Sequence, residues 1–342
     1  MTAYLYYLGG VILFIAAASA VDVSSLDDLQ AAKARGDRLI TLRNIEVPAG
    51  KSLDLSDFEP GTKIEIAGKI TFGLAEWGGP LVLMKGQALT IEGKGGSIDA
   101  QGSRWWDNQG AKGKKKPLTV SMQLEDSKVI GLLVKNPPLV AIAVNKARNL
   151  EITKATIDVK EGNGKGALDT KGVTIRSSTN TKVLDSTIDN QSDCLLVDRD
   201  VNQVVFERNT CNGGNGVIII GGGGEIVRDI QIKHSKIIGS NTGVSIKPAK
   251  NGKGLQGIIL DSIELKDIKT AGIWVSQQAA GSSIRDVTVN RVEGNVLPTG
   301  TNMIVNVPLD PNNQNWNWFS KIWGGKKSIC KGIPKWCNIK CL

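Results

Sequence analysis

The sequence is poor in aromatic residues, and poorer still in histidine. Phe, Trp and Tyr make up 5% of the chain, and His234 is the single histidine in 342 residues. One histidine, in the strand-like stretch Gln231–His234 with the pattern of an outward-facing residue, excludes a Ser-His-Asp triad. No Cys-x-x-Cys pair accompanies it, which excludes a zinc site of the usual Cys/His kind. Scarce Phe and Tyr argue against a nucleic-acid module, in which basic residues interleave with stacking rings. The glycines Gly221 to Gly224 follow a strand pattern but open no helix, so they form a wide turn and not a phosphate cradle. No cofactor and no metal are expected. Beyond residue 20 nothing approaches the roughly 18 uninterrupted apolar residues of a membrane span. No Pro/Gly/Ser-rich linker, long charge run or low-complexity repeat divides the chain.

Residues Met1 to Ala20 carry no charge, include the apolar stretch Val11 to Ala17, and close on Ala18-Ser19-Ala20. This small-x-small ending marks a signal peptide over residues 1–20. It leaves a single domain over 21–342 and a secreted, extracellular protein with no membrane attachment once the leader is cleaved. In that setting the five cysteines read as two bridges with one thiol left over. Cys194 and Cys211 lie mid-chain, while Cys330, Cys337 and Cys341 crowd the tail. The net charge of +9 favours a polyanionic partner. The densest basic run, Lys112 with Lys114 to Lys116, reads as a solvated loop.

Short β-rich segments recur at intervals of about 21 to 28 residues: Thr181 to Asn190, Asn202 to Cys211, Arg228 to Ser240, Gln256 to Ile268 and Ser282 to Gly294. Shorter strands fall between them, at Cys194 to Val197, Gly216 to Ile220, Gly243 to Lys247 and Gly272 to Ser276. This period, with no helical pattern inside it, predicts an all-β right-handed parallel β-helix. A propeller blade needs about 40 residues and a βαβ unit needs a helix between strands. The bends Asn190 to Val197, Thr210 to Ile218, Gly243 to Lys247 and Thr270 to Trp274 should then stack along one concave face. Ser24 to Arg35, with Leu26, Leu29 and Ala32 on one side, reads as a helix capping the first coil. The tail from Asn315 reads as the cap of the last.

Glycoside hydrolysis takes two carboxylates placed across the scissile bond. Among Asp169, Asp189, Asp193, Asp198 and Asp200, only Asp193 immediately precedes a short strand at a bend. Its neighbours in the expected stack are Ser192, Asn215, Ser245 and Ala271. Lys247 is a cation on the same face, and Lys250 and Lys253 lie close behind it.

Several stretches carry a family resemblance: Ile70 to Gly73, Glu76-Trp77 with Gly79-Pro80-Leu81, Trp105-Trp106-Asp107, Val134 to Pro138, and Gly324 to Lys331. On these the chain resembles the polygalacturonases of glycoside hydrolase family 28 over essentially its whole mature length. The resemblance implies a pectin-lyase-like solenoid, the disulfides Cys194–Cys211 and Cys330–Cys337, and an unexplained Cys341. It also implies four stacked motifs. Asn-Thr-Asp is matched to Gly164-Lys165-Gly166, so Gly166 replaces a water-activating Asp while Asp169 remains as an anchor. Gln-Asp-Asp-Cys is matched to Gln191 to Cys194, so Ser192 replaces the general acid and Asp193 survives. Gly-His-Gly is matched to Gly214-Asn215-Gly216. Arg-Ile-Lys, which binds the substrate carboxylate, is matched to Ser245-Ile246-Lys247, keeping the lysine alone, and a subsite tyrosine becomes Ala271. The same substitution at Ser192 creates the N-glycosylation sequon Asn190-Gln191-Ser192, which makes Asn190 a candidate glycan acceptor beside the former cleavage subsite.

The expectation is therefore a monomeric, secreted, polygalacturonase-like pseudoenzyme. It would bind pectin or oligogalacturonides, as a decoy or accessory in pectin degradation. An active endo-polygalacturonase and a secreted module for a protein partner are the alternatives.

Overall fold

The computed structural model describes residues 20–250, 252–277, 282–335 and 337–341. The predicted leader thus lies almost wholly outside the described residues. After one helix the chain runs through short strands that pair in parallel with the strand one coil earlier and one coil later. Three columns of such pairs form the walls of a parallel β-helix. The wall that concerns function is built from the strands Lys171–Arg176, Asp193–Val197, Gly216–Ile219, Thr242–Ile246, Ala271–Ser276 and Thr301–Asn306, in that order.

Strict register makes the core. Ile142, Val173, Leu195, Val217, Val244, Ile273 and Met303 sit directly above one another and are all buried. Each coil adds one aliphatic side chain to such a column, about 4.8 Å from the last. Each of these is worth roughly 1.5–3 kcal/mol of apolar burial. Side chains one position along point the opposite way, to the outer face. The chain turns its corners at residues with positive φ, repeated coil after coil. Asn149, Asn180, Gln203, Asp229, Gly257 and Asp286 are one such column, rich in the Asn, Asp and Gly types that tolerate that region best. His234 belongs to another corner, with φ 46°. It is half-exposed, with Nδ1 3.4 Å from Glu207 Oε1.

The capping helix covers Leu26–Arg35 and starts two residues later than the sequence suggested. Ser25 is the N-cap, its hydroxyl accepting from the Asp28 amide at 3.0 Å. Ser24 instead donates its own amide and hydroxyl to the Asp28 carboxylate. Leu29 and Ala32 close the first coil. At the other end the tail corrects one expectation. Cys330 is bridged to Cys341, not to Cys337, which is a free, half-buried thiol. The short strand Ile329–Lys331 fixes Cys330 on the last coil, and the tail folds back over that coil to bring Cys341 to it. Cys194–Cys211 joins adjacent coils as expected, with both residues fully buried.

Candidate functional site

The expected stack of bends is present. Asp193 pairs with Gly216 and Thr242 with Ala271, so Asp193, Asn215, Asn241 and Ala271 come from successive coils along one face. The bend before Asp193 is rigid. Asn190 donates its side-chain amide to the carbonyls of Thr170 and Asp193, each at 2.9 Å. Gln191 donates to Val159 O and Asn163 Oδ1 and accepts from the Thr170 hydroxyl. This corrects the glycosylation expectation. Asn190 is 3% exposed and its nitrogen is committed to two backbone carbonyls, so the folded chain has no room for a glycan there.

Asp193 is buried to 7% exposure, and both of its carboxylate oxygens are engaged. Oδ1 accepts from Asn215 Nδ2 at 2.9 Å, and Asn215 in turn accepts from Asn241 Nδ2 at 2.9 Å. Oδ2 lies 3.5 Å from the ammonium of Lys171. The same ammonium donates to Ser192 Oγ at 3.4 Å and lies 3.8 Å from Asp169 Oδ1. Asp169 is fixed from its other side by the Ala111 amide, 2.9 Å from Oδ2.

Lys171 is the residue that sequence reasoning missed. Gly166 was expected to occupy the coil beneath Asp193, but it lies in the irregular segment before Asp169, its carbonyl accepting from the Asn108 amide. The coil beneath Asp193 begins at Lys171, because Val173 pairs with Leu195 and Thr174 with Leu196. Asp169-Thr170-Lys171 therefore holds the position of the Asn-Thr-Asp motif, with a lysine where the motif has its second carboxylate. The signal was available: Lys171 opens its strand as Asp193 opens the next.

Lys247 lies with Nζ 4.0 Å above the ring of Trp274. Burial pushes its ammonium below the usual lysine range, and the nearby Asp193 carboxylate opposes that shift. Ser245 is fully buried and its hydroxyl has no hydrogen-bond partner. Ala271 is fully buried and offers no functional group. Of the cations behind Lys247, Lys253 is engaged 2.8 Å from Glu225 and Lys250 is exposed. The basic run splits as well. Lys116 is buried and holds Asp107 Oδ1 and Oδ2 and the carbonyls of Gly110 and Lys114, so it is not a solvated residue. Among the described residues no group of three His, Cys, Asp or Glu side chains is placed to hold a metal ion.

The fold and the site together define a parallel β-helix with a groove along one wall and a buried Asp at one of its bends. The chain belongs to glycosyl hydrolases family 28, whose model matches residues 38–340. It is 34% identical to endopolygalacturonase 1 of Colletotrichum lindemuthianum, with all of both chains covered. It is 37% identical to the probable endopolygalacturonase A of Aspergillus fumigatus, over 88% of this chain and 86% of the relative. In structure it is similar to endopolygalacturonase I from Stereum purpureum, determined with two galacturonates bound. The TM-score is 0.82 and the identity 25%, over 94% of this chain and 98% of the other.

Proposed function

We propose that the protein is a secreted galacturonan-binding member of the family that does not hydrolyse its ligand. The observation that carries this reading is the Lys171 ammonium, within 4 Å of Asp193, Asp169 and the Ser192 hydroxyl. Hydrolysis needs one carboxyl protonated, to give its proton to the leaving oxygen, and a second one ionised. The Lys171 ammonium stands between the two available carboxylates and is paired with both, where hydrolysis would need a second carboxyl facing the scissile bond. No carboxyl stands at Ser192, where the resemblance puts the general acid, and its hydroxyl is no substitute at ordinary pH. Loss of general acid catalysis alone is worth about 10² to 10⁴ in rate. Asp193 Oδ1 is further engaged by Asn215 Nδ2 at 2.9 Å, where the resemblance has a histidine.

Binding is supported by the groove itself, by Lys247 on its face, and by the net charge of +9. Pectin or oligogalacturonides are the ligand class, and a monomer is sufficient to bind them. Calorimetric titration with oligogalacturonides at low salt tests the reading, and no measurable heat would rule it out.

A second reading, an active endo-polygalacturonase cleaving α-1,4-galacturonosyl linkages, is favoured by the names of the full-length relatives. It would have to use Asp169 and Asp193 across Lys171. Turnover of polygalacturonic acid that disappears in Asp193→Asn would establish it.

A further inference from the structure

On the site wall the residues facing outward into the groove form their own column. Register places Thr174, Leu196, Ile218, Ser245, Trp274 and Ile304 one above another. From the coil after Asp193 onward this column contains no charge. At Ser245, where the resemblance puts a carboxylate-binding arginine, the hydroxyl is buried and meets no partner. The next coil carries Trp274, part-exposed, with Lys247 packed on its ring at 4.0 Å. Ile218 and Ile304 flank this pair, each part-exposed.

We propose that this end of the groove takes methyl-esterified galacturonosyl residues in preference to free galacturonate. The inference rests on the pectin-binding reading above. A free carboxylate laid on the Ile218–Trp274–Ile304 floor gives up water and finds no donor from Ser245 in return. The methyl ester is neutral, so it needs no cation, and its methyl group adds apolar surface for the floor to cover. Burying one such methyl is worth about a fourfold gain in affinity. Coils rise by about 4.8 Å, comparable to one sugar residue, so a short oligomer spans the column from Ile218 to Ile304. Lys247, at the margin of the floor, remains for an occasional free carboxylate in a partly esterified chain.

The test is calorimetric titration with galacturonan oligomers of one length, fully esterified and fully de-esterified, at a single low ionic strength. The esterified oligomer is expected to bind about fifteen- to sixtyfold tighter, as two or three buried methyls require. Trp274→Ala should abolish the preference and Trp274→Phe should retain most of it, with melting temperature measured to establish that both variants fold. Equal or tighter binding of the acid form by the unaltered chain overturns the proposal and leaves the pectin-binding reading standing. An ester preference that survives in a folded Trp274→Ala protein overturns the role of this floor. Binding of neither oligomer overturns the pectin-binding reading itself.

Discussion

Lys171 stands within 4 Å of Asp193 and Asp169, whereas Gly166 lies in the irregular segment before them. Gly166 has φ +78°, and a Cβ there would meet the backbone nitrogen and side chain of Asn108 at 2.9 Å. Gly166→Asp should therefore cost about 1–2 kcal/mol, as residues held in left-handed backbone do. It should also add no catalytic group to the Asp193 site; a fall in melting temperature with unchanged polygalacturonate turnover is the expected pair of results. Substitution of Lys171 acts at the site directly. Most of this was legible in the sequence, because Cys194, Gly214, Gly216 and Ile246 anchor the stack and point to Ser192, Asp193, Asn215 and Lys247. Lys171 was not, since the stretch from Val159 to Thr170 is irregular and of a length no neighbouring coil shares. The motif was matched to the wrong end of that stretch, and only strand pairing reveals the offset. The Asn190 sequon misled for a related reason: sequence shows the acceptor but not that its amide closes a bend.

At the scale of elements, the segment from Gly102 to Lys116 is folded around an internal cation. Trp105 is buried, with its ring N–H on the Ala75 carbonyl, and Lys116 is surrounded by four oxygens. The segment then delivers the Ala111 amide to Asp169, so it shapes the edge of the site. Lys116→Met leaves Asp107 without its partner and should destabilise the segment by about 3–5 kcal/mol, seen as faster proteolysis there. Hydrogen bonds from Lys116, with further help from the Gln109 and Lys114 amides, hold the Asp107 carboxyl at about 2. Because that value is depressed below the unfolded one, the contribution is complete above about pH 4. It is lost as the pH falls through about 2, and Trp105 fluorescence in an acid titration should report the loss in that interval. The disulfide between adjacent coils is a separate element. Replacing both Cys194 and Cys211 by Ala should cost about 3 kcal/mol for a loop of this length, read in denaturant melts. That pairing was expected from family resemblance and is present. The tail pairing was not, because three cysteines within 12 residues leave the choice to how the cap folds.

For the whole molecule, the period of the β-rich segments was sufficient to give the solenoid and the face on which the bends stack, while strand pairing fixes three walls where the period allowed two or three strands per coil. Periodicity reports strand pairing well because one coil repeats the pattern of the last. It reports nothing about irregular stretches, which is where the Lys171 register and the Lys116 segment lie. On the proposed galacturonan-binding reading, the net charge of +9 acts at this scale too, as a field that would draw a polyuronate toward the groove. Raising salt from about 0.01 to 0.15 M shortens the screening length from about 30 to 8 Å. Affinity for de-esterified oligomers should fall by about tenfold over that range, and that for fully esterified ones should change little.

The central claim, that the groove binds galacturonan but does not cut it, meets its most direct test in a reducing-end assay on polygalacturonic acid over pH 4 to 8. The unaltered chain is run beside a variant carrying Lys171→Asp, Ser192→Asp, Asn215→His and Ser245→Arg, and calorimetry on the same preparations shows that both bind. The account predicts no release above the blank from the unaltered chain and measurable release from the variant. Turnover by the unaltered chain that vanishes in Asp193→Asn would contradict it.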